Sequence, residues 1–169
     1  MTVFEVLIAV IIFSIIALGL ASAVVVGKDA LFVSDIPTQL RGNVLFALMP
    51  MIQELRQTAP AQTNLGAGAS GNAITFRIPF DNNADGMVVD NNGSIEWGGA
   101  ITYACNASNQ LTRTFGGATA VIAPNITSLL FNRPAGEDAL LQISVVAQKA
   151  DNQGNLYQDN EQAIIKMRN

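Results

Sequence analysis

The sequence predicts an α+β protein: a long N-terminal helix, apolar in its first half and amphipathic in its second, packed on an antiparallel β-sheet domain. Three observations carry this. Val6 to Val26 contains no charged residue, and at about 1.5 Å rise per residue such a run can cross a hydrocarbon core of about 30 Å. Apolar residues then recur every four positions at Phe32, Ile36, Leu40, Val44, Leu48 and Ile52. Leu45, Met49 and Leu55 lie beside that stripe, and Arg41, Glu54 and Arg56 mostly off it. Beyond residue 56, short alternating segments are separated by Gly-, Asn- and Asp-rich clusters with no second long helical pattern. The chain therefore divides into a helix over 1–56 and a β-domain over 57–169, joined by a loop over 57–72.

The helix opens on Met1-Thr-Val-Phe-Glu5. A signal peptide would carry a basic segment before its apolar core, but no Lys or Arg precedes Lys28. A plain membrane anchor has no use for Glu5, because a carboxylate at membrane depth costs about 3 kcal/mol. Glu5 wants a partner, and the α-amino group of a chain start at Met1 is the nearest cation. Pro37 and Pro50 each remove a helical hydrogen bond, which predicts kinks or short breaks near Ser34-Asp35 and near Leu48. Gly19 and Gly27 are softer points, each costing about 1 kcal/mol relative to Ala.

Gln57 to Phe76 carries no charge and reads as the path from helix to sheet. Strands are expected at Ala73–Ile78, Ser94–Trp97, Ala100–Cys105, Gln110–Phe115, Ile126–Phe131, Leu140–Gln148 and Gln162–Met167. Turns fall at Asn106 to Asn109, Gly116-Gly117, Pro134 to Gly136 and Asp151 to Asn155.

Composition narrows the function. Net charge is −4, and the nine basic residues are scattered singly, so nothing supports nucleic acid as a partner. There is no His, which removes the commonest acid–base catalyst and zinc ligand. Carboxylates lie in turns or stand alone, so no catalytic constellation is expected and the chain does not read as an enzyme. The one cysteine, Cys105, has no internal partner; its alternation with Ile101 and Tyr103 favours burial over a link between subunits.

Asp81, Asn83, Asp85 and Gly86 follow the first half of a calcium loop, with oxygen ligands at alternating positions before a sharp turn. The second half departs, with Asn92 where a bidentate Glu belongs. Asp90 or Glu96 would have to fold back to complete a Ca²⁺ site. The other reading is a polar turn whose Asx side chains bond their own backbone. Asn92, Asn106 and Asn125 each open an Asn-x-Ser/Thr glycosylation pattern, which chance also supplies in an Asn-rich chain. Arg77, Arg113, Arg133 and Arg168 stand beside strands, either to pair with carboxylates of neighbouring subunits or as ordinary surface charges.

Met1-Thr-Val-Phe-Glu-Val-Leu-Ile-Ala-Val-Ile-Ile-Phe-Ser resembles the mature N-terminus of a type IV pilin or type II secretion pseudopilin. The resemblance implies that a prepilin peptidase has removed a leader, that Met1 is N-methylated, and that Met1 and Glu5 act in assembly. It also implies the pilin fold, and a subunit that waits in the bacterial inner membrane on an assembly platform. From there it would join itself and other pilins in a helical extracellular filament. Where many type IV pilins carry Pro near residue 22 this chain has Ser22, so unwinding in a filament would start at Gly19. The loop staple common near pilin C-termini is also absent. The words Ile-Thr-Phe, Ile-Thr-Tyr, Leu-Thr-Arg, Ile-Thr-Ser-Leu-Leu-Phe and Met-Arg-Asn, in that order over 73–169, look loosely like the J/W-like group of minor pilins and pseudopilins. That group implies a low-copy, tip-located subunit, with an adhesive role among its options.

Overall fold

The computed structural model describes residues 2–168, and side chains throughout that range except at 29–34. Met1 and the Phe32 side chain therefore lie outside the described residues. Helix α1 (Val3–Leu55) is followed by a 3-10 turn at Pro60–Gln62. Eight strands complete the chain: β1 (Ser70–Gly71), β2 (Ala73–Phe76), β3 (Ile101–Cys105), β4 (Leu111–Phe115), β5 (Ala118–Ala123), β6 (Ile126–Asn132), β7 (Leu140–Ala150) and β8 (Leu156–Lys166).

The expected breaks at the prolines do not occur, and α1 runs unbroken through Pro37 and Pro50. Pro37 is exposed and Pro50 half-exposed, so water can reach the backbone around them instead of leaving it orphaned in the core. The buried face is Ile36, Leu40, Val44, Ala47, Leu48, Met51 and Leu55. Leu45 and Met49, expected beside the stripe, are exposed, and Ile52 is only partly buried. A strict four-residue repeat drifts about 40° per step against a helix of 3.6 residues per turn, so the core switches from Val44 and Leu48 to Ala47, Met51 and Leu55.

In place of the one sheet expected there are two antiparallel four-stranded sheets, ordered β1-β6-β7-β8 and β2-β3-β4-β5. The second half of α1 packs mainly on β7 and β8 and touches β5. Strand β7 alternates inward Leu141, Ile143, Val145 and Ala147 with half-exposed neighbours, the period of a sheet with one covered face. Two strands escaped the sequence. One is β1, a two-residue bridge to β6. The other is β5, an uncharged edge whose first four residues are exposed and carry no alternation. Gly116 and Gly117, both at positive φ, close the β4–β5 hairpin as a two-residue turn. Strand β8 begins at Leu156 rather than Gln162, because pairing with β7 holds its polar first half in register. Ser94–Trp97 is no strand and contributes only bridges between Val89 and Ile95 and between Pro79 and Trp97.

Polar clips fasten the loop after α1. Buried Thr58 donates its hydroxyl to the Arg77 carbonyl at 2.7 Å and accepts the Arg168 amide at 2.8 Å. Buried Arg133 donates to the carbonyls of Asp138, Pro60 and Leu65. It is neither a surface charge nor open to a neighbouring subunit. Arg133→Met should strand three carbonyls at a cost of about 3 kcal/mol, lowering Tm by about 10 °C. Arg133→Lys should recover less than half, since one ammonium cannot reproduce the planar fork; thermal melts of the full chain in detergent measure both.

Candidate assembly site

The N-terminal turn of α1 places charge at the tip of an apolar rod. Thr2 is the N-cap, and its extended backbone turns its hydroxyl back onto the Glu5 amide at 3.4 Å. Glu5 answers by accepting the Thr2 amide on Oε2 at 2.8 Å. This reciprocal capping box satisfies two donors a helix start leaves orphaned, and sets a negative charge at the positive end of the helix dipole. The sequence pattern Thr-x-x-Glu at positions 2–5 spells this motif.

Beyond this turn, Val3–Lys28 is 26 residues of helix, long and apolar enough to cross a membrane, with none of its apolar window covered by the rest of the chain. Phe4 and Phe13 are each 73% exposed. Its few hydroxyls are internally satisfied: Ser14 donates to the Val10 carbonyl and Ser22 to the Leu18 carbonyl. Within the apolar run both serine hydroxyls are thus satisfied by the helix itself.

The acidic loop assembles only part of the expected ion set. Asp81 accepts the amides of Asp85 and Gly86 at 3.3 and 2.7 Å; Asn83 accepts the Asp85 amide at 3.0 Å; Asp85 accepts the Met87 amide at 2.8 Å. Glu96 does fold back, accepting the Asn82 amide at 2.7 Å and the Asn83 side-chain amide at 3.0 Å. Asp90 instead belongs to a separate turn, accepting the amides of Asn92 and Ser94. Among the described residues no group of three or more His, Cys, Asp or Glu side chains is placed to hold a metal.

Of the sequon residues, Asn92 is exposed in that turn. Asn106 ties its side chain to Ser108 and Gln110. Asn125 sits half-buried at positive φ between β5 and β6. Cys105 is half-buried at the end of β3, less enclosed than Ile101 and Tyr103, and desolvation pushes its thiol pKa up.

One constellation went unforeseen. Glu54 on α1 meets Arg113 of β4 through Nη2 at 2.9 Å and Nε at 3.0 Å, and Tyr103 of β3 donates its hydroxyl to Glu54 at 3.0 Å. Arg113 is thus engaged within its own chain. The turn at 106–109 sets the register that puts Tyr103 opposite Arg113, a signal the sequence contains; that both face Glu54 depends on how α1 lies.

No family model, curated protein or solved structure matches this chain. The reading of the site rests on its own geometry and on the residues that resemble the pilin start.

Two outcomes follow from the site. Burial first, then the Glu54 carboxylate, raises the Tyr103 hydroxyl pKa well above the usual phenol value. The unfolded chain releases this proton near pH 10 while the folded chain keeps it. Stability should therefore fall as pH rises above 10, by up to about 1.4 kcal/mol per pH unit. Urea melts at pH 9 and 11 should show this slope in wild type and lose it in Tyr103→Phe. In the acidic loop, Asp81 and Asn83 hold the Asp85 and Gly86 amides, so both should be protected from hydrogen exchange in chelator. Asp81→Ala, which removes the acceptor of the Gly86 amide, should expose that amide equally with and without calcium.

Proposed function

We propose that this chain is a structural subunit of a type IV pilus or pilus-like filament. The carrying observation is the uncovered apolar half of α1, capped by Glu5 at its tip and continuous with a half that seats the β-domain. Such a rod has two ways to hide its surface: lipid before assembly and other rods after it. In this reading the subunit spans the inner membrane, is extracted, and enters a bundle of apolar helices with the β-domains outside. Glu5 of an incoming subunit is drawn to the Met1 amine of a neighbour and sets the axial register. In a low-dielectric bundle that attraction far exceeds its value in water, with desolvation offsetting part of it. The reading assigns no catalytic role.

The J/W-like order of the strand words favours a second reading, a low-copy subunit at the tip of a pilus or type II secretion pseudopilus. Antibodies against 57–169 separate the two in electron micrographs: labelling along the filament supports the first, labelling at the tips alone the second.

Glu5→Gln keeps the capping box, since Gln serves at that position, but removes the charge. Polymer should fall at least tenfold while the β-domain melts at the wild-type temperature, because an unpaired buried amine costs several kcal/mol. Wild-type filament yield from Glu5→Gln would sink the charge-pairing idea.

A further inference from the structure

Two surfaces of the β-domain carry opposite charge beside apolar groups. The first is an apolar cavity of about 310 Å³ between Phe80 and Phe115, with Ile78 and Ile101 on its walls. Both aromatic residues pack closely on glycine: a Cβ at Gly98 would come within 2.9 Å of Phe80 Cβ, and one at Gly99 within 3.1 Å of the Phe115 ring. Arg113 reaches the cavity but is already ion-paired to Glu54. The loop beside the cavity carries Asp81, Asp85, Asp90 and Glu96, and no Lys or Arg occurs between Ile78 and Thr112. The site is therefore apolar within and acidic beside.

The second surface is the outer face of β8. Its exposed side chains alternate with the buried Ile165 and Met167 and run Gln162, Ile164, Lys166, continuing to Arg168. Ile164 is 65% exposed among polar neighbours. No even-numbered position from 156 to 168 is acidic, and neither Lys166 nor Arg168 forms an ion pair among the described residues. At its C-terminal end this surface presents Ile164 as an aliphatic knob with two cations beyond it, while exposed Leu156 lies at the far end of the strand with no cation beside it on that face.

We propose that the two surfaces dock between copies of this chain, Ile164 entering the Phe80–Phe115 cavity while Lys166 and Arg168 face the carboxylates of the 81–96 loop. Because knob and cavity are different patches, the contact is heterologous and propagates from copy to copy instead of closing in a two-fold pair. Opposite charges across it set register and steer encounter, and salt weakens it. The contact rests on the filament reading, for which it supplies the interface between β-domains.

Cysteine pairing in full-length chains, in detergent and with Cys105→Ala as background, tests it. Ile164→Cys mixed with Phe80→Cys should give an oxidised heterodimer, and one chain carrying both should give a ladder. Lys166→Glu with Arg168→Glu in the Ile164→Cys chain should cut the product about tenfold. Asp90→Lys with Glu96→Lys in the Phe80→Cys chain should restore it. A yield no higher than from Leu156→Cys with Phe80→Cys, or no restoration, overturns the contact. Wild-type filaments in micrographs without the 164–80 crosslink overturn the contact and leave the filament reading standing. A ladder from chains that never grow filaments supports the contact and overturns that reading.

Discussion

The continuity of helix α1 from Val3 to Leu55, kept through Pro37 and Pro50, constrains everything else in this molecule. A helix satisfies its own amides and carbonyls, which is what lets one segment sit in lipid, in a bundle or against a sheet without rebuilding its hydrogen bonds. Its two halves face different solvents. The first leaves apolar side chains open on every side, while the second turns Ile36, Leu40, Val44, Met51 and Leu55 onto the strands. Because the element is continuous, the chain passes from the rod to the face that seats the β-domain with no loop between them.

Polar groups fasten the joint where helix gives way to sheet. Leu55 and Met51 bury the end of the helix, but apolar packing alone is indifferent to small rotations. Glu54 fixes the angle by holding Arg113 and Tyr103 on two adjacent strands. Thr58 then ties the departing chain to both Arg77 and Arg168, and Arg133 draws the carbonyls of Pro60, Leu65 and Asp138 together. The half-exposed Glu54–Arg113 pair contributes little to stability by itself. Its bidentate geometry specifies orientation instead.

The sequence made the architecture legible wherever one physical signal dominated. The charge-free run, the alternation of β3, β4 and β7 and the turn at Gly116-Gly117 all correspond to elements in place. It failed where structure depends on a neighbour. Strand β5 has no inward-outward pattern because it is an exposed edge, and the polar start of β8 is a strand only because β7 lies beside it. Pro37 and Pro50 do not interrupt the helix, because the cost of a proline depends on whether the backbone around it can reach water. At the site, Glu5 stood out by its isolation, whereas Glu54 was hidden by resembling any surface acid on a helix. The loop words identified Asp81, Asn83 and Asp85 as one cluster, but only the fold decides that Glu96 joins it and Asp90 does not.

The capping box bears on how a carboxylate can sit at the tip of an apolar rod in either of its surroundings. Oε2 of Glu5 accepts the Thr2 amide within its own helix turn, so in lipid the charge carries one fixed donor and lies at the positive end of the helix dipole. A carboxylate has about four acceptor positions, and one amide occupies a single position. On the filament reading, a neighbour's amine can therefore approach Glu5 without breaking the cap. The cap also fixes the direction in which the remaining lone pairs point, which turns a general attraction into a defined axial position. On the same reading, a residue bound to its own helix before assembly and to a second chain afterwards would lose no interaction on transfer. The charged group would then keep one fixed donor throughout its passage from lipid to protein.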